Sequence, residues 1–229
     1  MGVGMGEVFG QLLPIAVGIA ISPLPIVAVV LMLATPRGRV NGPAFVLAWI
    51  VGLAVVGTIV ILVAGDNAQS ESGAPADGVS WLKLVIGVAL IGLGVRQFHG
   101  RPRGDDPGEL PKWMAALDGF RWPKALGAGL MLSAVNPKNL LLTVAGAAVI
   151  AQAGLSGGEE AASLAIFVLI GTIGVAAPVV LYFALGHRST AILDDLRGWL
   201  AAHNAVIMSV LFIVIGAKIL GDAISGFAA

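Results

Sequence analysis

The stretch Ser133-Ala-Val-Asn-Pro-Lys-Asn139 places a lysine, Lys138, near the middle of a long hydrophobic segment. No Asp or Glu lies at a comparable depth in any other apolar segment of the chain. A bare ammonium group in hydrocarbon is costly, so the side chain of such a lysine must face a protein cavity or water. We therefore predict that Lys138 belongs to a functional site and that a ligand supplies its missing counter-ion.

The composition indicates the class of protein around this lysine. Of the 229 residues, 58% are hydrophobic and only 11% are charged, and the mean hydropathy is +0.96. A soluble domain would carry about 25% charged residues, so we predict a polytopic membrane protein. The chain has no cysteine, which excludes disulfides and thiolate metal sites.

Uncharged runs give the number of spans, since about 20 mostly apolar residues cross the hydrocarbon core. The third run is short and must recruit Trp81, Lys83 and Arg96 as interfacial ends. We predict an all-α integral membrane protein with six transmembrane helices, forming a single domain over residues 1–229. We expect the first helix to be retained, not cleaved as a signal peptide. The runs are 8–36, 40–65, 84–95, 125–158 interrupted by Lys138, 161–186 and 198–217.

The basic residues predict the orientation, because Lys and Arg in short loops stay in the cytoplasm. The second and fourth loops carry acidic residues and no basic ones. We therefore place both termini outside the cell and the odd-numbered loops in the cytoplasm. Ten of the 13 basic residues lie in or beside those odd-numbered loops: Arg37, Arg39, Arg96, Arg101, Arg103, Lys112, Arg121, Lys124, Arg188 and Arg197.

Weak internal similarity relates the two halves of the chain. Ser22-Pro23 aligns with Asn136-Pro137, Phe45-Val-Leu47 with Phe167-Val-Leu169, and Leu93-Gly-Val-Arg96 with Ile215-Gly-Ala-Lys218. Each half has three helices, so the second half must enter the membrane from the opposite side. We predict two inverted repeats, residues 1–98 and 123–229, joined by a cytoplasmic loop at 99–122.

The predicted site lies where the first helix of each repeat is broken by proline, because proline removes a backbone donor and frees carbonyl groups. Such groups are tolerated at membrane depth where they line a cavity or find protein partners. Two alternatives remain open: the prolines only kink the helices, or Lys138 bonds the free carbonyls. The predicted substrate-binding residues are Ser22, Pro23, Pro25, Ser133, Asn136, Pro137, Lys138 and Asn139.

The third loop carries a second candidate feature. Trp113, Leu117 and Phe120 recur at i, i+4 and i+7, and Arg121 and Trp122 follow them. This pattern is typical of a short interfacial helix, where a lipid head group can dock. The alternative is a segment that only anchors the loop at the membrane surface.

Enzyme functions find little support in the sequence. The three histidines, His99, His187 and His203, lack metal-ligand spacing, and no Gly-rich phosphate-binding loop is present. The hydroxyl groups in the spans have no visible base at their depth. We expect no enzyme activity, no metal and no cofactor.

Several motifs in order resemble a known family: residues 21–37, Asn41-Gly-Pro-Ala-Phe45, Arg101-Pro-Arg103, Leu110-Pro-Lys-Trp-Met114 and residues 134–139. They are similar to the peptidoglycolipid or sulfolipid addressing proteins of the lysine-exporter superfamily. The resemblance covers nearly the whole chain. It implies a six-helix inner-membrane protein that helps move envelope glycolipids outward in bacteria with mycolate-type envelopes, and it points to the two proline breaks as the substrate site.

Three functions follow as hypotheses. The first is an exporter or flippase for an anionic lipid or glycolipid that works by alternating access, since a central cation suits a phosphate, sulfate or carboxylate. The second is an exporter of amino acids or other small molecules. The third is an accessory scaffold of a lipid-synthesis or export complex that transports nothing. The expected partners are membrane lipids, the lipid-synthesis or export machinery, or a second copy of the chain. We expect no nucleic acid partner.

Overall fold

The computed structural model describes residues 5–68, 77–100 and 121–228, and the regular structure in these ranges is helical throughout. The three longest helices have 40, 31 and 29 residues. The helices are α1 (Met5–Ala20), α2 (Pro23–Leu33), α3 (Gly38–Ala68), α4 (Asp77–His99), α5 (Trp122–Leu130), α6 (Pro137–Gln152), α7 (Gly157–Leu185) and α8 (Ser189–Ala228), with a π-helical turn at Met131–Val135 and a 3₁₀ turn at Gly186–Arg188.

Four of these helices, α3, α4, α7 and α8, are long and apolar enough to cross a membrane. The pair α1 and α2 is bent by 48° and the pair α5 and α6 by 59°, and each pair passes the same test of length and composition. Counting each bent pair as one span gives six. The all-α multi-pass membrane fold is therefore confirmed, and the relation of its halves as inverted repeats stays a prediction.

Apolar side chains cover the outward faces of the long helices. Leu62 on α3, Leu169 and Val180 on α7, and Val214 on α8 are each at least 60% exposed. A large apolar surface of this kind is rare on a soluble monomer. It fits contact with lipid acyl chains.

Helices α4 and α8 lie close together along much of their length. A Cβ atom at Gly87 would come within 3.0 Å of the carbonyl oxygen of Gly216, and Ser209 donates a hydrogen bond to the Gly94 carbonyl at 2.8 Å. Glycine allows backbones to approach in this way. Gly87 and Gly94 of α4 thus pack against α8 of the same chain, whereas a Cβ atom at Gly92 would meet no atom within 4 Å.

Helix α8 is longer than the uncharged run at 198–217 from which a span was predicted. Its first turns have an amphipathic surface: Leu193 and Leu200 are buried, whereas Asp194 and Arg197 approach each other at 3.7 Å on the exposed side. The helix therefore accommodates charged residues before it enters the apolar run.

Candidate functional site

Both helix breaks have the same local construction. Ser22 is the N-cap residue of α2 and Pro23 is the first residue of that helix, and Asn136 and Pro137 hold the same positions in α6. Proline is well tolerated there because the first N–H groups of a helix have no partner within it. The proline of each break thus begins the second half of a bent helix.

The second break leaves a carbonyl group that a side chain then satisfies. In the π-helical turn the Asn136 N–H donates to the carbonyl of Met131 at 2.9 Å, so the Leu132 carbonyl lacks its usual helical donor. The side-chain amide of Asn139 donates to that carbonyl at 2.8 Å. In addition, the Asn136 side chain accepts a hydrogen bond from the Lys138 backbone N–H at 3.1 Å and caps α6.

The two breaks meet through a short chain of hydrogen bonds. The ammonium group of Lys138 donates to the Ser22 hydroxyl at 2.6 Å, and that hydroxyl donates to the side-chain oxygen of Asn139 at 2.9 Å. All three residues are buried, with Lys138 only 6% exposed. Ser22 at the first break is therefore in direct contact with Lys138 and Asn139 at the second break, more than 100 positions away in the sequence.

Among the described residues, no carboxylate pairs with the ammonium group of Lys138. The ion pairs in the part of the chain that the structure describes are Arg197 with Asp194 and Lys218 with Asp222, both on α8. An ammonium group has three donors, of which Ser22 takes one. Within the described ranges Lys138 bonds a hydroxyl and no backbone carbonyl, so the carbonyl alternative is not the arrangement found.

A cavity of about 160 Å³ lies beside this contact. Its wall combines the two breaks with the facing parts of α4 and α8, and Lys138 is the charged residue among its lining groups. The N-termini of α2 and α6 both lie at the breaks, and the positive end of each helix dipole adds to the attraction for an anion. The lining residues are Ser22, Pro23, Leu24, Pro25, Gln97, Asn136, Lys138, Asn204, Met208 and Phe212.

Three of the predicted site residues do not line the cavity. Asn139 is fully buried behind it, and Ser133 is fully buried and donates to the Leu130 carbonyl at 3.2 Å. Pro137 is exposed and is not among the lining residues. Asn139 is a positioning residue in this geometry, since its amide joins Ser22 to the carbonyl freed by the break.

Sequence reasoning missed the contributions of α4 and α8 to the cavity. Gln97 and Asn204 bring amide groups, while Met208 and Phe212 bring apolar surface. A signal was available for Asn204, because it is a polar amide within an otherwise uncharged apolar run. Gln97 lies beside Arg96, which was predicted to be the interfacial end of the third span, and Gln97 was therefore not considered as a cavity residue.

The interfacial segment of the third loop falls largely outside the structure described here. Trp113, Leu117 and Phe120 lie in the range 101–120, for which no structure is described. Arg121 is the N-cap residue of α5, and Trp122 is its first residue, with 56% of its surface exposed. Trp122 is thus the first residue of the bent pair α5 and α6, and its place at the membrane interface stays a prediction.

No group of three or more His, Asp or Glu side chains that could hold a metal occurs among the residues whose structure is described. The polar groups at the cavity are one ammonium, one hydroxyl and three amides. These groups are of the kinds that can bind an anion by charge and hydrogen bonds.

A family model described as "Sap, sulfolipid-1-addressing protein" matches residues 12–225. The chain belongs to the sulfolipid-1-addressing protein family. The match includes both helix breaks and all the cavity residues, and it confirms the resemblance that the motifs carry. Neither a curated protein nor a solved structure matches the chain. The family and the apolar helices together make this a multi-pass membrane protein of a lipid-addressing family.

Proposed function

We propose that this chain is an exporter or flippase that moves an anionic lipid or glycolipid of the cell envelope across the inner membrane. The observation that supports it most is the buried Lys138, which lines a cavity between the two helix breaks and has no carboxylate partner among the described residues. A charged residue at membrane depth without a partner is expected to act on a substrate. Because the match is to a lipid-addressing family, we assign the anion to a lipid head group.

The size of the cavity limits what it can hold. Ligand pockets for whole small molecules usually enclose about 300 Å³ or more, against about 160 Å³ here. A sulfate, phosphate or carboxylate with a few attached atoms is the group that this volume suits. The remainder of a lipid would lie outside the cavity, along the membrane-facing surface.

The position of the cavity suggests the side from which it loads. Gln97, one of its lining residues, is two residues from the end of α4 at His99 and next to Arg96. The basic residues at this end predict that it faces the cytoplasm. With both termini outside, the cavity lies toward the inner face, and rocking of the two predicted repeats would then expose the head group outward.

The test combines native mass spectrometry with transport in liposomes. Mass spectrometry of the detergent-purified protein identifies an anionic lipid that remains bound, and liposomes containing only this chain measure its movement between leaflets. We expect Lys138→Ala to lower transport roughly 10- to 100-fold, since hydrogen bonds to a charged group contribute about 1.5–3 kcal/mol. Lys83→Ala is the matched control, because Lys83 lies in α4 away from the cavity lining. Full transport by a correctly folded Lys138→Ala variant would falsify the proposal.

The small volume of the cavity also favours a second candidate, an exporter of amino acids. An amino acid presents the same carboxylate to Lys138 and has no acyl chain to place. Uptake of labelled amino acids by the same liposomes, run in parallel, separates the two. If the chain alone moves neither substrate, the scaffold hypothesis is favoured instead.

A further inference from the structure

A second cavity, which we call the α1–α7 groove, lies on the membrane-facing side of the protein. Its volume is about 370 Å³, and its wall is made by apolar residues of α1 and α7, including Phe9, Gly10, Leu13, Ala16, Ile166 and Ile170. Leu13 is 52% exposed and Ile166 is 38% exposed. The groove is thus open toward the surface that contacts lipid.

The packing of α1 against α7 is close at one end of the groove and open at the other. Near the first break the helices touch: a Cβ atom at Gly171 would lie 3.2 Å from the Ile19 side chain, and one at Gly174 would overlap the Ala20 carbonyl. Toward the start of α1 there is open space, since a Cβ atom at Gly10 would meet no atom within 4 Å. From Ala16 to Phe9 the groove is about 10 Å long, at 1.5 Å per helical residue.

We propose that the α1–α7 groove holds an acyl chain of the same lipid whose head group binds at Lys138. This inference rests on the proposed function. The wall of the groove is apolar, so it offers nothing to a head group, whereas the cavity at the breaks presents the Lys138 ammonium group with hydroxyl and amide groups and is too small for a lipid tail. The two cavities therefore divide one amphipathic ligand between them.

The order of the two cavities along the membrane normal agrees with a lipid of the inner leaflet. The polar cavity extends from the breaks toward the Arg96 end of α4, whereas the groove runs from Ala16 toward the start of α1, on the other side of the first break. A lipid in the inner leaflet points its head group inward and its acyl chains toward the opposite face. One molecule that occupies both cavities has this orientation, which is that of a substrate before export.

An acyl chain fits the groove better than a helix of another protein does. A helix with its side chains is about 10–12 Å wide, and it would pack along the whole of α1 instead of over two turns. A second copy of the chain remains the other occupant that the experiment detects, because native mass spectrometry reports the oligomeric state.

Two phosphatidylglycerols with the same head group but different acyl chains distinguish binding of the head group from binding of the acyl chain. Dioleoyl phosphatidylglycerol has long acyl chains, and dihexanoyl phosphatidylglycerol has short ones. Binding of each to the purified full chain is measured by native mass spectrometry. The groove is filled by Gly10→Phe, with Gly10→Leu as a smaller second variant. The control is Gly92→Phe, at a lipid-facing glycine of α4 that also has no atom within 4 Å of an added Cβ.

We expect Gly10→Phe to weaken binding of the dioleoyl lipid about fivefold or more, because a filled groove removes the packing contacts of the chain. Binding of the dihexanoyl lipid should remain as in the wild-type chain, and Lys138→Ala should weaken binding of both. Unchanged dioleoyl binding in both Gly10 variants overturns the acyl-chain site and leaves the proposed function intact. Unchanged binding in Lys138→Ala, or no binding of either lipid by the wild-type chain, overturns both. A dimer that Gly10→Phe dissociates identifies the groove as a contact between copies and also overturns the acyl-chain site.

Discussion

The two helix breaks share a plan but differ in where their polar groups go. At the second break, Asn136 caps its own helix, and a π-helical turn precedes it. At the first break, the Ser22 side chain makes no cap and bonds Lys138 and Asn139 across the interface. The residues that follow also differ: Leu24 and Pro25 stand where the other break has Lys138 and Asn139.

This difference indicates that the breaks have separate tasks. The second break supplies the charge and satisfies its own backbone, while the first supplies one hydroxyl and part of the apolar wall. A symmetric pair of lysines would place two like charges at one cavity, which is unfavourable at short range. Similar sequences can thus produce one asymmetric site.

The largest expected effect is at Asn139, whose side chain joins the two breaks. Asn139→Leu keeps similar volume but leaves the Leu132 carbonyl without its donor and Ser22 without an acceptor. Each buried polar group left unpaired costs roughly 1–3 kcal/mol. Unfolding in detergent, followed by circular dichroism against denaturant, measures the loss. Pro25→Leu at the aligned position is the control, and an equal loss there would contradict the division of tasks.

A smaller effect is expected from Ser22→Ala, which removes the hydroxyl between Lys138 and Asn139. The loss should be about 1–3 kcal/mol, because two buried hydrogen bonds lose their common partner. Ser133→Ala is a matched comparison: its hydroxyl is equally buried but bonds only a carbonyl of its own bent span. The same denaturation experiment should show Ser133→Ala to be the milder change. If Ser133→Ala destabilises the protein more than Ser22→Ala does, the hydrogen bonds of Ser22 between the breaks contribute less to stability than the bond of Ser133 to the Leu130 carbonyl.

The smallest effect should come from the cap of α6. Asn136→Ala removes the acceptor for the Lys138 N–H and should cost about 1 kcal/mol, the usual loss for an N-cap. Asn136→Ser keeps an oxygen at that position and should recover most of the loss. A shift of the melting temperature in detergent resolves the two variants. Equal melting temperatures for Ala and Ser would mean that the cap does not stabilise this break.

Much of the fold was predictable from the sequence, because it depends on local composition. The uncharged runs predict six spans, and proline at positions 23 and 137 predicts the two bends that the structure has. The contact of Lys138 with Ser22 is consistent with the expectation of one central site, although its role in binding remains a prediction. Local patterns did not reveal that Asn139 would face the backbone instead of the cavity.

The parts that were missed depend on packing between distant segments. Gln97 and Asn204 reach the cavity because α4 and α8 pack closely through glycines more than 110 residues apart. Contacts between residues so far apart in the sequence produce no periodic pattern from which they could be predicted. The π-helical turn, which packs against α3, was missed as well.

The close approach of α4 and α8 has a mechanical consequence. Backbone atoms of the two helices meet at Gly87 and Gly216, and Ser209 bonds the Gly94 carbonyl, so the pair has little freedom to slide or separate without losing contacts. One wall of the Lys138 cavity is built on this stiff pair. The opposite wall is formed by the two bent helix pairs, α1–α2 and α5–α6. We expect the width of the cavity to change mainly by movement of the bent pairs α1–α2 and α5–α6, while α4 and α8 keep their positions relative to each other.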